Sequence, residues 1–205
     1  FTGGNGLSAA GSGNLFDVKI KSPHGLKISG IDMSFWNAGQ ADVEIWVTPG
    51  TYVGNDNLPH KWVQVSAGTA TASSGGYGSK THVDTDDFFL PPGDYGMYII
   101  SSAGVSYTNG DGTNQNYGNA YLELTAGTGK NVKFTGGMFN PRVWNGAIYA
   151  TSHLEAGNGP FGRGCIGSNA MSPKMSLSSE PVLGQSMTIE VTDMAPTSGM
   201  GWMFL

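Results

Sequence analysis

Short segments in which apolar and polar side chains alternate recur along most of this 205-residue chain. Phe16, Val18 and Ile20 alternate with charged residues, and the segment 43–47 repeats the pattern. Because side chains two positions apart lie on the same face of a strand, this period predicts half-buried β-strands. Pro, Gly, Asn and Asp separate the segments, as in Pro-Pro-Gly-Asp at 91–94, and indicate turns. We therefore expect an all-β fold whose main domain is an antiparallel β-sandwich resembling a jelly roll.

The pattern also predicts where the main domain ends. Alternating segments fill residues 1–151, and residues 152–169 are rich in glycine, as expected of a linker. Residues 170–205 contain a further alternating segment and form a short C-terminal β segment. About 35 residues cannot bury a core of their own. This segment is therefore expected to pack on the main domain, to pair with another chain, or to belong to a longer module.

Low charge limits the classes of function. Only 12 % of residues are charged, glycine accounts for 33 residues, and the net charge is −5, which argues against nucleic-acid binding. A surface built from Ser, Thr, Asn and Gly suits a secreted, extracellular or cell-surface protein that meets sugars, proteins or copies of itself. The one cysteine, Cys165, allows no internal disulfide. No apolar run approaches the ~20 residues that span a membrane, so we expect no membrane span.

Several segments resemble an uncharacterised β-rich repeat module of secreted multidomain proteins from environmental bacteria of the planctomycete type. The resemblance covers residues 1–151, and its matching pieces are 1–6, 15–18, 49–54, 107–110 and 141–149. Residues 164–168 and 181–184 resemble the start of a C-terminal β module in similar proteins. The resemblance implies secretion and a modular architecture, and it implies no reaction.

Asp84, Asp86 and Asp87 form the densest acidic cluster of the sequence. Ca²⁺ takes six to eight oxygen ligands, so the cluster is a candidate calcium site. The alternative is a solvated strand entrance whose charges discourage edge pairing. No other cofactor is expected, since the four histidines lack metal-ligand spacing and the Gly-rich match at 157–162 contains Pro160 where a nucleotide-binding helix would begin.

Aromatic residues provide the second candidate site. Trp46, Trp62, Tyr52 and Tyr77 are candidates for a platform on which a sugar stacks, because aromatic faces combine apolar area with a polar tip. Trp46 alternates out of phase with Val43 and Ile45, which places it on the opposite face. Structural packing in the core or on the second face of a sheet is the alternative, since most tryptophans of a sandwich are buried.

The sequence predicts no catalytic residue, because no nucleophile–base pair or paired carboxylates can be recognised. We expect a non-enzymatic structural or adhesive protein that forms homo-oligomers or polymers such as filaments. The alternative is a carbohydrate-binding module of a secreted polysaccharide-active protein. The predicted assembly residues are apolar side chains of the C-terminal segment, whose strand could add to another subunit: Met187, Ile189, Val191, Trp202, Phe204 and Leu205.

Overall fold

The computed structural model describes residues 4–72 and 75–152, together with two later strands, Lys174–Leu177 and Ile189–Thr192. The chain divides into two compact units, Phe1–His153 and Leu154–Leu205. The first unit thus ends two residues beyond the predicted boundary at Thr151. Apart from Ser152, the predicted linker lies outside the described residues.

The described part of the first unit contains twelve strands and one 3₁₀ turn, Pro59–Lys61, between β4 and β5. The strands are β1 (Gly6–Ser8), β2 (Gly13–Ile20), β3 (Leu26–Ser34), β4 (Gly39–Pro49), β5 (Val63–Ala72), β6 (Lys80–Leu90), β7 (Gly93–Ser101), β8 (Val105–Asn109), β9 (Asn116–Gly118), β10 (Leu122–Lys130), β11 (Arg142–Trp144) and β12 (Gly146–Thr151).

Two antiparallel sheets make up this unit, which confirms the predicted all-β class. Nine strands form one sheet in the order β12-β3-β6-β5-β4-β7-β2-β10-β9, and three form another in the order β1-β8-β11. The large sheet curls into a half-barrel, and the architecture is that of a sandwich-like domain.

The inner face of the large sheet carries the main hydrophobic core. Phe16, Ile45 and Met97 come from neighbouring strands and are fully buried there, and Val105 and Trp144 of the small sheet join the same cluster. Phe16 stacks on Trp144 with ring centroids 5.2 Å apart. Burying each large apolar side chain contributes about 1.5–3 kcal/mol. Burial of these alternating side chains is therefore the main driving force for folding of this unit.

The chain changes sheets at Asn145, between β11 and β12. A Cβ at Gly146 would lie 2.4 Å from the Asp32 carbonyl oxygen and 2.2 Å from the Trp144 ring. Only glycine therefore allows β12 to start this close to β3.

In the second unit, β13 (Lys174–Leu177) pairs antiparallel with β14 (Ile189–Thr192) in a two-stranded sheet. Met175 lies opposite Val191, and Leu177 lies opposite Ile189. The predicted C-terminal β segment is thus present.

Candidate functional site

A second, smaller hydrophobic cluster lies on the outer face of the large sheet. Its buried members are Leu15, Trp62, Tyr98 and Ile100, and Trp46, Tyr52 and Phe134 pack against them. These residues follow directly from strand alternation, since Leu15 and Tyr98 neighbour the inner-face residues Phe16 and Met97. We call this set the outer aromatic cluster.

Phe134 joins the rings of the outer aromatic cluster. Its ring centroid lies 5.2 Å from that of Trp46, 5.5 Å from that of Tyr98 and 5.9 Å from that of Trp62. Phe134 adopts a positive φ of 52°, which is costly for a bulky side chain. The ring contacts compensate for this backbone strain, so they decide the conformation of the connection between β10 and β11.

The loop between β4 and β5 is fixed to the sheet at its beginning. The Asp17 carboxylate accepts hydrogen bonds from the Thr51 hydroxyl at 2.7 Å and from the Tyr52 backbone N–H at 2.9 Å. Further along, the Trp62 indole N–H donates to the Asn55 carbonyl oxygen at 2.8 Å. Hydrogen bonds to a carboxylate are the stronger kind, so Asp17 gives this loop a defined conformation.

A buried lysine connects this loop to the connection after β10. The Lys130 side chain is fully buried, and its Nζ donates to Asp56 Oδ2 at 2.7 Å, to Asn57 Oδ1 at 2.7 Å and to the Gly136 carbonyl oxygen at 3.1 Å. An ammonium group has three donors, and all three are used here. The sequence gives no signal of this site, because Lys130 and Asp56 are 74 positions apart and neither belongs to a motif.

The structure brings three of the four predicted stacking residues together, but mostly as packing residues. Trp62 is only 5 % exposed. Lys133 Nζ lies 4.1 Å from the ring centroid of Trp46 and covers that ring with a cation–π contact. Tyr52 packs against the same cluster, whereas Tyr77 lies apart in the turn before β6 and is 58 % exposed. The arrangement therefore leaves Tyr77 as the accessible member of the predicted set.

The predicted calcium ligands lie inside a strand. Asp84, Asp86 and Asp87 belong to β6, which starts at Lys80, so they do not form a strand entrance. Asp87 Oδ2 lies 2.7 Å from Lys27 Nζ in an exposed ion pair. Within residues 4–72 and 75–152, no group of three or more His, Cys, Asp or Glu is placed to hold a metal ion. The described geometry thus gathers no calcium cage around these aspartates.

The predicted assembly residues fall mainly outside the described part of the chain. Met187, Trp202, Phe204 and Leu205 lie outside it, and Ile189 and Val191 belong to β14. Their proposed role in assembly stays a prediction.

A polar network that the sequence analysis also missed crosses three strands of the outer face. Asp32 on β3 accepts a hydrogen bond from the Tyr149 hydroxyl at 2.9 Å, and its other oxygen lies 3.1 Å from His82 Nδ1. Lys80 Nζ lies 3.7 Å from the same carboxylate. The hydrogen bond to Asp32 raises the pKa of the Tyr149 hydroxyl. Asp32 thus joins β12, β3 and β6, and only knowledge of the strand order could have found it.

The two ends of the large sheet leave an apolar slot between them. One part has a volume of about 150 Å³ and is lined by Tyr117, Leu122 and Leu124 from one end, by Ile148 from the other and by Trp144 of the small sheet. An adjoining, more polar part of about 390 Å³ shares Leu122 and Ile148 and extends to Asn119, Thr151 and Ser152. Since β9 and β12 are the outermost strands of this sheet, the slot is bordered by strand edges.

No family model and no curated protein sequence matches this chain, so the resemblance described above stays an expectation. Within the described residues, no helix has the length and apolar character needed to cross a membrane.

Proposed function

We propose that this protein is a non-enzymatic extracellular structural protein that self-associates by adding a strand of one copy to the slot of another. The observation that carries this proposal is the apolar slot between β9 and β12. A strand placed there would meet two sheet edges, and its apolar side chains would cover Leu122, Leu124 and Ile148. Strand addition of this kind takes its affinity from backbone hydrogen bonds and its specificity from side-chain pockets.

The C-terminal segment of a second copy is the proposed donor. It contains a strand with Ile189 and Val191, and the apolar residues of the slot suit such side chains. A chain with only 12 % charged residues also lacks strong repulsion between copies. Because the donor strand and the acceptor slot come from different segments of the chain, the proposed contact is heterologous and leads to filaments unless the rotation closes a ring.

The outer aromatic cluster favours this proposal over the carbohydrate-binding alternative. A stacking platform needs exposed aromatic faces, whereas Trp62 is buried and the Trp46 ring is covered by Lys133. Binding of a panel of polysaccharides by residues 1–153, lost in Tyr77→Ala, would support the alternative instead.

Two complementary variants test the proposal. A chain ending at His153 keeps the slot and lacks the donor, and Ile148→Lys in the full chain keeps the donor and places a charge in the slot. We expect each alone to be monomeric by size-exclusion chromatography with light scattering, and the mixture to form a one-to-one complex. Val53→Lys, at a position 60 % exposed, is the control and should assemble like the unmodified protein. Assembly of the truncated chain by itself would contradict the proposal.

A further inference from the structure

We propose that the Lys130 side chain forms a covalent amide with the Asn57 side chain, with Asp56 as the proton carrier and ammonia as the leaving group. The reaction needs an amine, a carboxamide and an acid–base group in contact, with the amine and the acid–base group shielded from water. The structure places all three together, since Lys130 Nζ lies 2.7 Å from both Asp56 Oδ2 and Asn57 Oδ1.

The geometry places the amine near its target carbon. A C=O bond is about 1.2 Å long, so the Cγ atom of Asn57 lies close behind the oxygen that Nζ already contacts. Reacting atoms about 3–3.5 Å apart are in range for attack, and holding them there replaces a collision in solution by an intramolecular step. The contact with Oδ1 holds the ammonium in place, and the loss of one proton to Asp56 frees the Nζ lone pair for attack at Cγ.

The surroundings keep the amine and the acid away from water. Lys130 is fully buried and Asp56 is 7 % exposed, whereas Asn57 is exposed and leaves ammonia a route to solvent. The Gly136 carbonyl oxygen holds Nζ from another side at 3.1 Å. The loop that carries Asp56 and Asn57 is fixed by Asp17 at its beginning and by the Trp62 indole.

Protons and bonds balance without a cofactor. Asp56 accepts one proton from the Lys130 ammonium, and the neutral Nζ attacks Cγ of Asn57. A second proton passes from Nζ to Nδ2 as the Cγ–Nδ2 bond breaks. Ammonia leaves and takes the proton held by Asp56, so an ammonium ion is released and the Asp56 carboxylate is restored. One amide is broken and one is formed.

The product would link the end of β10 to the loop between β4 and β5, at residues that are 73 positions apart. A crosslink over so long a loop restricts the unfolded chain, as a disulfide does. The single cysteine of this sequence excludes an internal disulfide. The amide would therefore provide the described unit with a covalent link that its composition otherwise lacks.

Intact-mass spectrometry of the denatured full chain tests the proposal. We expect the 21.4 kDa protein to weigh about 17 Da less than its sequence, the mass of one ammonia. Proteolysis should release a branched peptide that joins residues 57 and 130. Lys130→Met, Asp56→Ala and Asn57→Ala should each have the full mass of their own sequences.

The variants also separate the amide from a cyclised asparagine, which loses the same mass. Lys130→Met retains Asn57, so a loss that persists in this variant belongs to cyclisation and overturns the proposal. The branched peptide is measured on the unmodified protein and does not depend on the folding of any variant. A full sequence mass after prolonged incubation of the folded protein, with no branched peptide, would also overturn it.

Discussion

The two faces of the large sheet are stabilised in different ways. The inner face buries a continuous core of mainly aliphatic residues from nearly every strand, closed by Trp144 of the small sheet. The outer face buries only a local cluster of rings, over which two connections are held by Asp17, Lys130 and Phe134. The inner core is therefore expected to determine whether the unit folds, and the outer aromatic cluster to determine how its loops are arranged.

The largest effect is expected from Phe16→Ala on the inner face. Phe16 is fully buried and stacked on Trp144, so the change removes a ring from the centre of the core. Such substitutions cost about 3–5 kcal/mol, through lost burial and the cavity left behind. We expect chemical denaturation to show a loss of this size and hydrogen exchange to accelerate in all strands. A loss below about 1 kcal/mol would contradict the central place of Phe16.

A smaller and local effect is expected from Trp62→Ala on the outer face. The change removes the ring contacts with Tyr98 and Phe134 and the hydrogen bond to the Asn55 carbonyl. Because the loops above this site can partly collapse into the space, we expect a loss of about 2–3 kcal/mol. Hydrogen exchange should accelerate chiefly in the β4–β5 loop and after Lys130. Acceleration spread evenly over β2, β4 and β7 would remove the distinction between the two faces.

The same contrast explains what the sequence could predict. Alternation alone places Phe16 and Ile45 inside, because the inner face obeys a period of two along each strand. The second half of β5 and the first residues of β6 are harder to predict from the sequence. Residues 67–72 are small or polar, and backbone pairing with β4 holds them in the sheet. This is why the sequence allows a strand entrance at Asp84 as the alternative to a calcium site, whereas Asp84 lies within β6.

The outer-face sites were beyond prediction for a related reason. Trp46 was expected on the face opposite Ile45, and it is there, but its exposure depends on Lys133 and Phe134 from a distant connection. Similarly, the contacts of Lys130 with Asp56 and Asn57 depend on two loop conformations at once. Patterns along one strand predict the face of a residue, whereas the residues that cover it depend on the tertiary fold.

The smallest effect is expected from Glu44→Gln at the rim of the outer aromatic cluster. Burial opposes ionisation of Glu44, but hydrogen bonds from Lys133 and from the Trp46 indole outweigh it and lower the pKa of Glu44 below its ordinary value of 4.5. A carboxylate whose pKa is lower in the folded state stabilises that state above its unfolded pKa. This stabilisation is lost as the pH falls through the folded pKa.

We therefore expect Glu44→Gln to cost less than about 1 kcal/mol at neutral pH, because the ion pair is about one-third exposed and screened by solvent. The difference from the unmodified protein should shrink as the pH falls through the lowered pKa of Glu44, where Glu44 itself becomes protonated. Urea denaturation at several pH values measures both quantities. Glu123→Gln is the matched control, since Glu123 pairs with Lys21 in an exposed position without an aromatic neighbour in that ion pair. If both variants lose the same stability, the rings around Glu44 add nothing to an ordinary surface ion pair.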